Sequence, residues 1–312
     1  GVVDSNGQST LTAQNVAGNT DYDVTLENTS NIFGGNLIVT AANVSIKDTD
    51  ATIIGGTDVS GNYALTTTGG VTDNGDIDIE GTTTISSSGS NIILDRTGND
   101  FTGAVAVVGA NVQLVDANAI VLGTSDVSGT YQVTATAGGG ITDTGVLDID
   151  GAATFTAANG QSITLDSANT FSSTVAFSSA GTLANVNVKD STAFVLAETA
   201  GLTLSGNLTV TTGGALTDTN AIVVPGTTTI TATGQSVALN NTSNNFGTIQ
   251  IGSTNAVSSV EVEDTDAIAI GASESTGNFT VTAGGAVTDS GTVIVGGNLS
   301  VIYSLIGSPS DL

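Results

Sequence analysis

Residues 278–297 read NFTVTAGGAVTDSGTVIVGG. Three short runs, FTV, AVT and TVIV, alternate apolar with polar side chains, and Gly-Gly and Asp-Ser-Gly separate them. Alternation with a period of two suits a pleated strand with one face buried. Gly, Asn, Asp and Ser between such runs are corner residues. Nearly the same string stands at 207–226 (NLTVTTGGALTDTNAIVVPG), at 130–151 (TYQVTATAGGGITDTGVLDIDG) and at 62–81 (NYALTTTGGVTDNGDIDIEG). One supersecondary unit has been copied along the chain.

The apolar-Thr-Asp element starts at Val71, Ile141, Leu216 and Val287, so the chain repeats with a long, nearly constant period. Val2-Val3-Asp4 reads as the same element one period before Val71. The repeats therefore run roughly over 2–70, 71–140, 141–215 and 216–286, with a partial one at 287–300. Each long repeat divides into three smaller units, which in the last complete set span 207–226, 227–247 and 248–277. The second unit carries Asn-x-Phe, giving Phe33, Phe101, Phe171 and Phe246. The third carries apolar-x-apolar-x-Asp, as in NVSIKD, NVQLVD, NVNVKD and SVEVED.

A unit with three short strands and Gly/Asn/Asp corners is one coil of a parallel β-solenoid. It cannot bury its apolar face alone, so coils stack and pair each strand with its equivalents above and below. The expected fold is all-β: a right-handed parallel β-solenoid of about twelve coils, each of roughly 20–33 residues. It forms a single domain over 1–300, with 301–312 as a C-terminal tail or end contact. Leu208 and Val210 point inward and Thr209 and Thr211 outward; for residues 292–296 either register is open. The four Phe are expected at one corner, three coils apart. The third repeat holds the longest coil, Thr174–Gly206. An antiparallel sandwich array is the competing fold, but immunoglobulin-like domains run to about 100 residues with a buried Trp, and this chain has no Trp.

Composition excludes several functions. The chain has 312 residues, 29 acids and 3 bases, for a net charge of −26. Its cations, Lys47, Arg96 and Lys189, are scattered, so a run of phosphates would go unneutralised and nucleic acid is excluded as a partner. Anionic membranes repel such a chain, and it has no apolar run long enough for a helix to cross one. With no Cys there is neither a disulfide framework nor thiolate chemistry.

The recurring acids are the only candidates for chemistry. Asp73, Asp143, Asp218 and Asp289 close the first-unit element, and Asp48, Asp116, Asp190 and Asp264 lie in the third unit. Oxygen-rich corners can ligate Ca²⁺, but an Asx-type turn, the carboxylate accepting a backbone N–H two residues on, needs the same residues. The turn is the preferred reading for all eight. The best Ca²⁺ candidates are Glu261, Glu263, Asp264 and Asp266, which cluster in sequence; no other cofactor is indicated. Asp78 with Glu80, and Asp148 with Asp150, share a strand face and could pair as in a glycosidase. Their later counterparts, Val223 with Pro225 and Ile294 with Gly296, speak for a solvated face instead.

The strings GNLTVTTGGALTD (Gly206–Asp218), GTTTITATGQSVALNNTSNNFG (Gly226–Gly247) and VTAGGAVTDSGTVIVGGNLSV (Val281–Val301) resemble the repeats of filamentous-haemagglutinin-like, β-strand-repeat bacterial surface proteins. The resemblance implies a secreted right-handed β-helix at the bacterial cell surface, used in adhesion or as extracellular fibre or matrix. Neither end reads as capped, which suits a segment of a longer rod or a subunit that stacks end to end. The functional expectation is a non-catalytic extracellular structural protein that forms or joins a surface filament, its partner a second copy or the rest of a longer chain. The alternatives are an adhesin stalk or binding segment that recognises a glycan or cell-surface receptor, and a polysaccharide-acting enzyme.

Overall fold

The computed structural model describes residues 1–14, 21–197 and 199–303. All described regular elements are strands, paired in parallel. The chain divides into two compact units, Gly1–Gln161 and Ser162–Leu312. Each is a parallel β-solenoid, and there are about thirteen turns in all.

A regular turn holds three strands, such as Tyr63–Thr67, Val71–Asp73 and Ile77–Ile79. In the N-terminal unit Val24, Val44, Tyr63, Thr83 and Val105 stack in one column. Thr52, Val71, Ile92, Val112, Tyr131 and Ala153 stack in another. In the C-terminal unit the matching columns are Val186, Leu208, Thr228 and Ile249, and Phe194, Leu216, Val237, Val260, Phe279 and Leu299. Inward positions are aliphatic or aromatic: Leu208 and Val210 are buried, while Thr209 and Thr211 look outward. Over residues 293–295, Ile294 is the outward residue, at 53% exposure.

The repeat and the turn are out of step. Tyr63 and Tyr131 hold the same place in successive repeats, yet Tyr131 stacks in the column of Val71, one face further round. Phe279 likewise stacks in the column of Leu216 rather than that of its counterpart Leu208. From Tyr63 to Val127 the repeat contains ten strands. At three strands per turn, it advances three and one-third turns. This corrects the expectation of three coils per repeat, while the total of about thirteen turns agrees with the expected twelve or so. The third-type unit holds four strands, for example those at 104–109, 112–116, 120–122 and 125–127, where one coil needs three. It also corrects the placement of the phenylalanines at one corner. All four are buried, but Phe101 stacks on Ile79, Val59 and Ala41, a column that does not contain Phe33.

Corners keep the stack in register. The Gly81 N–H donates to the Gly61 carbonyl at 2.9 Å, and a Cβ on Gly81 would fall on that carbonyl. Only glycine allows so close an approach of two backbones. Beside the glycines an asparagine ladder climbs from turn to turn. Asn43 Oδ1 accepts the Asn62 N–H, and Asn62 Oδ1 accepts the Thr82 N–H, both at 2.9 Å. Asn185 and Asn207 repeat this in the C-terminal unit toward Asn207 and Thr227, both at 2.8 Å.

Candidate functional site

The recurring acids occupy two kinds of site, in which backbone N–H groups are joined by side-chain donors such as Thr52, Thr192, Asn99 and Asn244. The third-unit acids Asp48, Asp116, Asp190 and Asp264 end strands with their side chains buried. Each accepts the N–H two residues on: Asp50 at 3.2 Å, Asn118 at 2.6 Å, Thr192 at 2.6 Å and Asp266 at 2.9 Å. Each also reaches one turn back to the N–H of the second-unit phenylalanine: Phe33 at 3.3 Å, Phe101 at 2.9 Å, Phe171 at 3.2 Å and Phe246 at 2.6 Å. One carboxylate thus closes its own corner and ties two turns together. Burial pushes the carboxyls of Asp190 and Asp264 up, and that of Asp116 up to about 6, against the opposing pull of the backbone N–H donors.

The first-unit acids Asp73 and Asp218 do not close the Asx turn expected of them; they reach the other way, to the following turn. Asp73 accepts from the Asp95 and Arg96 N–H groups at 3.3 and 3.4 Å, and from Asn99 Nδ2 at 2.7 Å. Asp218 accepts from the Asn240 and Asn241 N–H groups at 3.0 and 3.3 Å, and from Asn244 Nδ2 at 2.6 Å. Asp143 is buried at the equivalent place, and Asp289, on the last described turn, is exposed. In the sequence, the asparagine of Asn-x-Phe reads only as a marker of the unit. The structure makes it a working part: Asn31, Asn99, Asn169 and Asn244 are fully buried. Asn31, Asn99 and Asn244 accept the N–H of Val3, Ile77 and Ile222, at 2.9, 3.0 and 2.8 Å. Val3 is therefore the counterpart of Ile77 and Ile222, and not, as the sequence suggests, of Thr72. The available signal is the constant two-residue offset of the Asn from a buried Phe.

A second feature has no counterpart in the sequence reading. Ser125 and Ser273 lie inside their turns, where each hydroxyl accepts an N–H from the turn below (Val107 at 3.2 Å, Ile251 at 3.0 Å). Each also donates to the carbonyl two residues back, Gly123 and Gly271.

The four Ca²⁺ candidates are not brought together. Strand alternation sends Glu261 and Glu263 outward and Asp264 inward. Asp264 spends its oxygens on backbone N–H groups, while Asp266 accepts from Asn245 Nδ2 at 3.1 Å. Among the described residues no group of three acids is placed to hold a metal ion. Outward acids do align elsewhere. Asp58, Asp78 and Asp100 stand in register on three successive turns. Partial burial, then the charges of Asp100, Asp58 and Glu80, hold the Asp78 carboxyl above its ordinary range. Arg96 pairs with Asp76 at 2.8 Å, not with this row.

The long coil Thr174–Gly206 is irregular in the structure. Ala197 has a φ of 53°, and a groove of about 280 Å³ lies between Phe177, Gly181, Leu183 and Leu202.

A family model described as repeats of unknown function (DUF5649) matches residues 41–108, 109–178, 183–251 and 256–303. Its period is the one read from the sequence, with the boundaries moved into the third-type unit, two or three residues before NVSIKD, NVQLVD, NVNVKD and SVEVED. No curated protein and no solved structure matches the chain. The matched segments cover most of the sequence and hold the stacked parallel strands described above, so the chain is a β-strand-repeat protein that belongs to the DUF5649 repeat family.

Proposed function

We propose that the protein is a non-catalytic structural element of the bacterial cell surface, whose β-solenoid joins end to end into an extracellular fibre. One observation carries the reading. The strand Leu299–Tyr303 pairs on one side only among the described strands, with Phe279–Ala283. Leu299, Val301, Ile302 and Tyr303 are 41–59% exposed there, beside a cavity of about 250 Å³ open to Phe279 and Val287. An unpaired, apolar parallel edge is a template for another strand, and a contact between unlike ends of identical molecules propagates. The likeness to haemagglutinin-type repeats supports the extracellular setting.

A second reading, an adhesin stalk or binding segment of a larger surface protein, is favoured by the irregular turn with its groove at Phe177, where a glycan or receptor loop would find relief from the flat faces. Sedimentation over a range of concentrations, with negative-stain electron microscopy, separates the two. Filaments a few nanometres wide support the fibre. Particles that stay monomeric at every concentration count against it and leave the stalk reading.

A further inference from the structure

The third repeat lacks a strand pair that the other three make. In those, the strand after the second-unit phenylalanine carries, one turn later, the strand after the third-unit acid. Leu37 pairs with Ile54, Val105 with Leu122 and Ile249 with Ile270. The equivalent residues of the third repeat are Val175 and Leu196. No described strand pairs with Val175–Ser179 from above or with Phe194–Leu196 from below. The two turns are pinned on either side of this gap. There the Ser191 N–H donates to the Asn169 carbonyl at 2.8 Å, and the Ser205 N–H to the Leu183 carbonyl at 2.9 Å. Between the pins lie openings of about 220 Å³ at Thr174 and Val195 and about 280 Å³ at Phe177 and Leu202.

The cause is written in the sequence. The corner segment 190–206 is three residues longer than 48–61, 116–129 and 264–277. The extra residues fall where Gly123 and Gly271 donate their N–H to the carbonyls of Val105 and Ile249, both at 2.7 Å. Ala197 stands in the place of those glycines, at a φ of 53° that is strained for a residue with a Cβ. Among the described residues no such bond joins it to Val175. Counting back four from the corner glycines Gly129, Gly277 and Gly206, Leu202 stands where Ser125 and Ser273 stand. The hydroxyl that accepts an N–H from the turn below is therefore gone as well. A long lower turn does not by itself break the wall: 246–260 is three residues longer than 101–112, yet Ile249 keeps its partner and Ile251 its serine. In a stack of turns, stability is a sum over the turns and over the interfaces between neighbours. We infer that this interface is a built-in yield point, where the turn beginning at Val186 parts from the turn beginning at Ile163 while their outer neighbours stay paired. In a fibre or a stalk alike, load is relieved at one interior turn chosen by the sequence.

Hydrogen exchange of the pinning amides tests this in the full chain. Ser191 and Ser205 have counterparts that make the same bonds across intact interfaces: Ala117 to Asn99 at 2.7 Å and Ser128 to Gly109 at 3.1 Å, and Thr265 to Asn244 and Thr276 to Val257, both at 2.8 Å. A static gap leaves all six equally protected, whereas a yield point exposes the first two. Corrected for intrinsic rates, Ser191 and Ser205 are expected to exchange roughly tenfold faster or more, since two or three missing bonds of ordinary strength amount to that factor. Protection equal to that of the four counterparts overturns the inference. Two repairs check the cause. One replaces residues 197–202 by Gly-Thr-Ser, the string that Gly123 opens in the second repeat. The other is Thr174→Cys with Val195→Cys, oxidised across the gap in a chain that has no cysteine of its own. Either one, in folded protein, is expected to bring Ser191 and Ser205 to the rates of Ala117 and Ser128, and reduction of the disulfide to release them again. Exchange that stays fast in both repaired proteins overturns the inference too.

Discussion

At the scale of single residues, the buried acids of the third-type unit are fasteners. Asp116 illustrates the energetics: its oxygens satisfy the N–H groups of Phe101 and Asn118, and the side chain is fully buried. Asp116→Ala strands those donors and is expected to cost about 1–3 kcal/mol, read as earlier loss of hydrogen-exchange protection in the turns that contain Phe101 and Asp116. Asp116→Asn keeps one acceptor and should lose less. The same residues set the response to pH. The carboxyls of Asp78, Asp116, Asp190 and Asp264 lie above their unfolded values, so in the window between those values the folded chain binds more protons than the unfolded one. Their contribution to stability is complete below the unfolded pKa near 4 and is lost as pH rises, for Asp116 through about 6. The melting temperature is therefore expected to climb as pH falls from 7.5 to 5. Asp78→Asn, which removes one charge from the row Asp58–Asp78–Asp100, should raise it at pH 7 and make no difference near pH 4. A melting temperature that falls over the same acid range would contradict this account.

At the scale of the strand and corner, glycine positions divide by what lies beneath them. Gly81→Ala puts a Cβ onto the Gly61 backbone and is expected to cost about 2 kcal/mol or more. Gly56→Ala meets nothing within 4 Å and should change stability by less than about 0.5 kcal/mol; thermal melts of the two variants make the comparison. This scale is also the most legible in sequence. Alternation such as Leu208-Thr209-Val210-Thr211 declares both strand and face, because a period of two has no other reading at that length. The buried role of the Asn in Asn-x-Phe is harder to see. Its partners lie in the turns before it, far off along the chain, and no local pattern announces a contact of that range. The cation cluster at 261–266 fails for the opposite reason: neighbours in sequence are not neighbours in space, because the pleat separates Asp264 from Glu261 and Glu263. Titration with Ca²⁺ followed by chelator is accordingly expected to leave the melting temperature unchanged, and Glu261→Gln with Glu263→Gln to leave it unaffected by metal.

At the scale of the whole molecule, the period is legible and the turn count is not. The recurrence of apolar-Thr-Asp at Val71, Ile141, Leu216 and Val287 is plain in the sequence. Whether a third-type unit holds three strands or four depends on which apolar runs bend at a corner, and GTSDVSG at 123–129 carries no strong signal of a separate strand. Charge is the other property at this scale. A net −26 opposes any approach of two copies. Association, measured by sedimentation, is expected to strengthen as salt rises from about 20 to about 300 mM, because exposed charges are screened beyond a Debye length of about 10 Å at 0.1 M. Association that weakens with salt would mean that attraction between opposite charges holds the copies.

The mismatch between repeat and turn bears on recognition. In either unit, the next copy of a surface motif appears a third of a revolution away from the last, so two successive repeats never offer the same epitope to one plane. A flat, ligand-coated substrate would engage one of them and leave its neighbour idle. A soluble ligand with several arms would reach both and bridge molecules sideways. For a protein of this design, valency is decided less by how many repeats it carries than by the geometry of what it meets.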